Sequence, residues 1–297
     1  MKEVSLRELL EAGCHFGHQT TRWNPKMKPY IFAARDRIHI FDLVKTKAGM
    51  EKAGAFIKEI VANGDQILFV GTKRQSQEII KTSAEKVVMP YMTERWIGGL
   101  LTNWDMMKGR LKHLADMKKG REDGSFLKTR TKKENLLIDR EILKMMHIFG
   151  GIIDLKGVPK AIFVADAKKD NAAIQEANRC GAKVIALADT NVNPDGIDFI
   201  IPANDDAAKS IQLIVDYIAE AVEEGKLEKV NKELRTKNEG EKKIEMGSEG
   251  EKREVGEKVE KGEVEKKVIS EEKKKEEKPK KAIVKKAAKK EVKKEGK

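Results

Sequence analysis

Cysteine is nearly missing from this chain of 297 residues, with only Cys14 and Cys180 present. Two thiols so far apart form neither a metal-type spacing nor a disulfide framework. Such sparse usage fits a reducing, cytoplasmic compartment. Long apolar runs are absent too. No stretch approaches the roughly 20 residues that span a bilayer. The first residues, Met-Lys-Glu-Val-Ser-Leu-Arg-Glu, contain no apolar signal core. A soluble, intracellular protein with no membrane partner is expected. Catalytic signatures are also lacking. The turn Gly71-Thr72-Lys73-Arg74 follows an apolar run and opens a helical one, but it has neither of the nucleotide-binding spacings G-x-G-x-x-G and G-x-x-x-x-G-K-[ST]. No Ser-His-Asp or Cys-His arrangement has supporting local context, and no paired general acid and base stands out. No small-molecule substrate is implied.

Charge is what the sequence has in quantity. Asp, Glu, Lys and Arg make up 37% of the chain, and the formal net charge is +12. A basic balance of this size favours a polyanionic partner. The excess is uneven. Between residues 231 and 297 there are 24 basic and 17 acidic residues, which leaves 37 and 32 for the rest. Aromatics end at Tyr217, and the segment 227–297 is Lys/Glu-rich with scattered valines. It has too little apolar surface to offset the entropy of ordering, so disorder is expected there. Its last twenty residues hold ten lysines against two glutamates. Such a tail either binds RNA non-specifically or simply keeps the chain soluble.

Ahead of the tail, periodicity gives an α/β rhythm. Ser5 and Glu8 have capping-box spacing before a short amphipathic helix. Residues 13–29 read as irregular, and Tyr30–Phe32 with Ile38–Phe41 as a small hairpin. Asp42 caps a long helix that Gly64 stops. Gln66–Val70, Pro90–Trp96, Ala161–Ala165, Val184–Ala188 and Phe199–Ile201 read as strands. Helices lie over Thr72–Val87, Lys169–Cys180 and Asp205–Glu224. Short apolar runs alternating with helices indicate a mostly parallel sheet with helices on both faces. The stretch 102–149 interrupts this rhythm. Trp104, Met107, Leu111 and Leu114 recur at helical spacing, as do Ile138, Ile142, Met145 and Phe149, with a polar link from Gly120 to Lys133 between them. Thr131 and Glu134 would box the second helix. A protruding antiparallel helical hairpin is expected, because both apolar stripes are narrow and charged on their flanks. The domain reading is therefore an α/β body over 1–101 and 150–226, a hairpin over 102–149 and a tail over 227–297.

Two sets of residues carry candidate chemistry. Asp189, Asp205 and Asp206 fall where a parallel sheet would gather them, at its carboxyl edge, and His18, in the run Cys14-His15-Phe16-Gly17-His18, is a candidate imidazole partner. Imidazole and carboxylates there suit a structural zinc or magnesium ion. The simpler reading is a turn cap for Asp189 and helix N-terminus complements for Asp205 and Asp206. No cofactor is required. The second set is basic and aromatic. Arg22, Trp23, Lys26 and Lys28 crowd one irregular segment, and Arg35 and Arg37 follow closely. Lys73 and Arg74 sit at a strand–helix turn, and Arg95 precedes Trp96. The hairpin adds Lys108, Arg110, Lys112, Lys118, Lys119, Arg121, Lys128, Arg130, Lys132 and Lys133. Such cations reach phosphates, and Trp can stack on exposed bases. Trp96 and Trp104 are expected to be mostly core.

These residues carry a family resemblance. It begins at Leu9-Leu10-Glu11-Ala12-Gly13 and His15-Phe16-Gly17-His18-Gln19. It continues through Arg22-Trp23-Asn24-Pro25-Lys26-Met27, Tyr30-Ile31-Phe32, Ile38-His39-Ile40 and Asp42-Leu43. Phe69-Val70-Gly71-Thr72-Lys73, the run Arg95-Trp96-Ile97-Gly98-Gly99-Leu100-Leu101-Thr102-Asn103, Gly150-Gly151-Ile152, Asp189-Thr190-Asn191 and Ile201-Pro202-Ala203-Asn204-Asp205-Asp206-Ala207 follow in order. Over roughly residues 4–222 the chain resembles the bacterial small-subunit ribosomal protein S-two family. The resemblance implies a flavodoxin-like α/β domain with a protruding helical hairpin, and no catalytic activity. It also implies contacts with small-subunit ribosomal RNA and neighbouring ribosomal proteins. Docking of the large mRNA-binding ribosomal protein S-one, where that protein exists, would be part of the same role. Cys14 departs from the family pattern, where an aliphatic residue is expected, and the tail exceeds the family's common core. An enzyme using the carboxyl edge of the sheet for nucleotides or phosphosugars is the rival reading. An adhesion or receptor role is a further one, which the lack of secretion signals does not favour.

Overall fold

Ser5 starts the first helix, α1 (Leu6–Glu11), through the expected capping box with Glu8, in a computed structural model that describes residues 3–125 and 130–233. The chain then builds a small antiparallel sheet from β1 (Phe16–Gln19), β2 (Ile31–Arg35) and β3 (Ile38–Phe41), in the order β1-β3-β2. The segment expected to be irregular is therefore ordered. It contains β1 and a 3-10 helix over Pro25–Tyr30, whose start Asn24 caps by accepting from the Lys26 N–H. No apolar alternation marks β1, because Gly17 and His18 occupy its centre. Asp36 and Arg37, both at positive φ, form the tight turn between β2 and β3. That geometry matches the right-handed twist of the flanking strands.

Asp42 caps α2 (Leu43–Ala62) with its side chain. The large sheet follows, from β4 (Ile67–Val70), β5 (Tyr91–Met92), β6 (Ala161–Val164), β7 (Lys183–Ala188) and β8 (Phe199–Pro202). All its pairings are parallel, in the order β5-β4-β6-β7-β8. Counted within this sheet the order is 2-1-3-4-5, the flavodoxin-like winding. Helices α3 (Arg74–Lys86), α4 (Trp104–Glu122), α5 (Lys132–Phe149) and α6 (Asn171–Cys180) lie between strands. A last helix, α7, begins at 208 and continues through 231, later at both ends than Asp205–Glu224. The expected strand over Pro90–Trp96 shrinks to β5, since the loop beyond it is held elsewhere. Residues Met1–Asn231 form one compact unit. Beyond residue 233 the tail lies outside the described residues, as does Lys128.

The strands are buried on both faces, which accounts for their continuous apolar sequences. Alternation divides them between two cores. Ile67, Phe69, Phe163, Ile185, Leu187 and Ile201 point to one core with residues of α2, α3 and α7. Leu68, Val70, Ile162, Val164, Val184 and Ala186 point to the other, with α6, the root of α4, and Met27 and Phe41 from the small sheet's neighbourhood. Helices α4 and α5 pack on each other. They bury Met107, Leu111, Leu114 and Met117 on one helix and Asn135, Ile138 and Phe149 on the other. The expected Thr131–Glu134 capping box starts α5. Gly151, at the hairpin's return, has no room for a side chain, since a Cβ there would meet the Tyr91 carbonyl oxygen at 2.3 Å.

Candidate nucleic-acid interface

The small sheet is fastened to the carboxyl edge of the large one. The backbone N–H of His18 donates to Asp189 Oδ1 at 3.2 Å and to Thr190 Oγ1 at 3.0 Å. The Asn24 N–H reaches the Thr190 carbonyl at 2.7 Å. Gly17 passes so close to Thr190 that a Cβ would come within 2.7 Å of its methyl group. From this anchored base the loop 20–30 and the Asp36–Arg37 turn present their cations outward. Arg22, Lys28 and Arg37 are exposed and join no ion pair among the described residues. Arg35 is exposed and lies 3.7 Å from Asp36. Lys26 pairs with Asp195, and that contact holds the Asp195 carboxyl below the usual aspartate range. Trp23 is half-buried, its ring centroid 5.1 Å from that of His39. Burial lowers the His39 pKa, so Trp23 lies against a neutral imidazole.

The carboxyl edge itself gathers Asp166 after β6, Asp189 after β7, and Asp205 and Asp206 after β8. Lys73, after β4, is the cation among them. Its Nζ lies 2.6 Å from Asp205 Oδ1, 2.7 Å from Asp206 Oδ1 and 3.4 Å from Asp166 Oδ2. Burial disfavours the lysine's charge, but these carboxylates outweigh it and hold its pKa above the ordinary value. The two aspartates respond oppositely. Asp205 is buried, and burial with repulsion from Asp166 and Asp189 pushes it up to about 6. Asp206 is exposed, and its contact with Lys73 holds it down. His18 completes the cluster, with Nδ1 2.9 Å from Asp189 Oδ2 and Nε2 3.7 Å from Asp206 Oδ2. Its hydrogen bond to Asp189, partly opposed by burial, raises its pKa. Asp189 Oδ2 is satisfied only if Nδ1 carries the proton.

Ligands of this fold bind at the switch point, here between β4 and β6. That crevice is stitched shut. Thr72 donates to buried Asp170 through Oγ1 at 2.7 Å and through its N–H at 3.2 Å. Lys169 Nζ donates to the Thr72 carbonyl at 2.9 Å. Four carboxylates around the crevice would repel a phosphate. The chemistry at this edge therefore opposes the nucleotide or phosphosugar reading. Ligand atoms of His18, Asp189 and Asp205 lie within 4.8 Å of one another, so the donor set fits a divalent cation.

A third feature escapes sequence reading. Glu176 in α6 is buried, and its carboxylate gathers the loop that leads into the hairpin. Oε1 accepts from Leu101 N at 2.8 Å, Thr102 N at 2.9 Å and Thr102 Oγ1 at 3.0 Å. Oε2 accepts from Trp96 Nε1 at 2.8 Å and Gly99 N at 3.3 Å. Burial raises the carboxyl's pKa, but these donors outweigh it and leave it lowered. Trp96 and Trp104 are half-buried and packed against the core, and the Trp96 indole N–H donates to the buried Glu176. Arg95 is exposed beyond β5, at the opposite end of the sheet from His18.

The nine predicted RNA residues thus separate. Arg22, Trp23, Lys26, Lys28, Arg35 and Arg37 lie on or beside the small sheet. Arg74 is exposed at the start of α3 and Arg95 stands apart. Lys73 is engaged by the carboxylates of Asp166, Asp205 and Asp206, unlike the exposed cations of the small sheet. Of the four predicted metal residues, His18, Asp189 and Asp205 bring ligand atoms together, and Asp206 Oδ2 lies 3.7 Å from His18 Nε2. Along α4 and α5, Lys108, Arg110, Lys112, Lys119, Lys132 and Lys133 are exposed, whereas Arg121 is paired with Asp139 at 2.8 Å.

Comparison with known proteins agrees with this architecture. The profile of the family described as Ribosomal protein S2 matches residues 9–225. The chain is 51% identical over 222 residues to the small ribosomal subunit protein uS2 of Roseiflexus sp. (strain RS-1), covering 75% of this chain and 84% of that one. It is 48% identical over 222 residues to the uS2 of Chloroflexus aggregans (strain MD-66 / DSM 9485), covering 75% and 93%.

Proposed function

The chain belongs to the ribosomal protein S2 family, and on that premise we propose that it works as an RNA-binding structural constituent of the small ribosomal subunit in translation. Proteins of this family are structural and are not enzymes. Its place would be the cytoplasm, with the ribosome. Among the described residues no helix is long and apolar enough to cross a membrane. The observation that carries the RNA reading is the set of exposed, unpaired cations Arg22, Lys28 and Arg37 on an anchored loop and turn. Lys26, Arg35, Arg74 and Arg95 extend it, and Trp23 supplies an aromatic surface. Phosphate neutralisation with counterion release provides the affinity, and the rigid platform selects the RNA shape. The test is Arg22→Ala with Lys28→Ala. Both side chains are exposed, so the domain keeps its stability while incorporation into small subunits weakens. Full occupancy of the double variant in subunits would overturn the assignment of these residues.

Two finer readings belong to the same proposal. The acidic cluster of His18, Asp189, Asp205 and Asp206 would hold a structural zinc or magnesium ion alongside Lys73. One lysine leaves the carboxylates under-neutralised, as the raised Asp205 indicates. Such an ion would fasten the small sheet to the body, and the family role needs no other cofactor. Added zinc should raise the melting temperature of the chelator-treated protein and leave that of Asp205→Asn unchanged. Equal shifts in both would remove the site. Docking of ribosomal protein S-one, where present, rests on the family role, and the exposed Phe16 and Phe32 of the small sheet offer it an apolar surface. Pull-down of that protein by wild type but not by Phe32→Ser would support this, and equal recovery would oppose it.

A further inference from the structure

The outward face of α5 is unlike an ordinary solvated helix surface. Leu136, Leu137 and Leu143 are 51%, 53% and 70% exposed. At 3.6 residues per turn they share a band about 120° wide with Lys133, Arg140, Lys144 and His147. This band lies opposite Asn135, Ile138 and Phe149, which face the interior. It contains no acidic residue. The helix's own acids, Glu134, Asp139 and Glu141, lie outside it. Asp139 is engaged with Arg121, and Glu134 with the Thr131 cap. Lys133, Arg140 and Lys144 are exposed and enter no ion pair among the described residues. His147 is 3.2 Å from Glu94 at the base of the hairpin.

Cations alone would suit a phosphate backbone, but three leucines between them would gain nothing there. Apolar side chains are stabilised by leaving water for other apolar groups. A second copy of the same face would bring like charges together. The complement of leucines set among unpaired cations is a helix with its own apolar stripe flanked by carboxylates. We propose that this face of α5 docks an acidic amphipathic helix of a neighbouring protein in the small subunit. The proposal rests on the small-subunit reading and adds to it the chemistry of one protein contact.

The test places a benzophenone amino acid at Leu143, and separately at Leu136, in the full chain. Small subunits carrying it are purified and irradiated, and the cross-linked species are identified by mass spectrometry. Cross-links concentrated on one helix of a single protein, with acidic residues beside an apolar stripe, are the expected result. Arg140→Glu with Lys144→Glu should then lower the cross-link yield by about tenfold, as expected for loss of close charge pairs. Cross-links confined to RNA, to a second copy of this chain or to a helix without acidic residues would overturn the proposal, as would none at either position. If the probe-bearing chain is absent from subunits while wild type is present, docking through this face is too weak a description of its role and the proposal falls. Absence of wild type as well would overturn the small-subunit reading itself.

Discussion

Removing the Glu176 carboxylate should unlock the loop that carries the hairpin. Five donors converge on it, and those from Leu101, Thr102, Gly99 and Trp96 have no other acceptor among the described residues. Each hydrogen bond to a charged group contributes about 1.5–3 kcal/mol, and a buried donor left unmatched costs about 1–3 kcal/mol. Solvent can reach the half-buried Trp96 and Thr102 once the side chain is gone, so the losses do not add fully. A destabilisation of about 4 kcal/mol is expected for Glu176→Ala, within the range for breaking a buried network. For a unit of this size that corresponds to a fall in melting temperature of about 8–16 °C. Glu176→Gln keeps the shape but turns an amide NH2 toward donors, and should cost about 2–3 kcal/mol. Urea unfolding followed by circular dichroism gives the free energies. Tryptophan fluorescence should report greater exposure of Trp96. A loss below about 1 kcal/mol in Glu176→Ala would refute the reasoning, since such a loss suits an ordinary surface change.

The same residue makes a pH prediction. Its folded pKa lies below the ordinary glutamate value of about 4.3. A depressed carboxyl contributes stability that is complete above the unfolded value and lost as pH falls through the folded one. Glu176→Gln should therefore show a shallower loss of stability than wild type on acidification below about pH 4.3. Parallel acid limbs would contradict the depressed pKa.

Other perturbations act on separate parts of the fold. Gly151→Ala forces a Cβ against the Tyr91 carbonyl and should cost about 3 kcal/mol in urea unfolding. Lys73→Met removes the cation shared by Asp166, Asp205 and Asp206, and should destabilise by about 3–5 kcal/mol, read as a fall in thermal midpoint at pH 7. Thr131→Ala breaks the capping box of α5 and should cost about 1 kcal/mol, seen as faster amide exchange confined to the start of that helix.

Much of the body was legible because its signals are local. Buried parallel strands are continuous apolar runs, so QILFV, AIFVA and VIALA stood out. Capping boxes need only four residues, and those at Ser5 and Thr131 both form. The nearness of Asp189 to Asp205 followed from strand ends meeting at one edge of a parallel sheet, whereas His18 reaches them from the small antiparallel sheet, whose docking no local signal announces. What escaped depends on distant partners. Glu176 sits in the helical stretch NAAIQEANRC as an ordinary polar position, and its donors lie 74 to 80 residues upstream. Lys26 and Lys73 resemble their exposed neighbours, but Asp195 and Asp205 engage them from 169 and 132 residues away. Strand β1 was missed because its residues are exposed or half-buried, and it is held by pairing with β3 and by bonds to Asp189 and Thr190 rather than by apolar side chains of its own.

The most direct test of the proposed role is sucrose-gradient sedimentation of a cell lysate at moderate salt, with this protein followed in every fraction. It should travel with small subunits and whole ribosomes and be released as salt rises, because phosphate contacts weaken steeply with ionic strength. A protein that stays at the top of the gradient, free of RNA at every salt concentration, would contradict the role and leave the family likeness as a guide to fold alone.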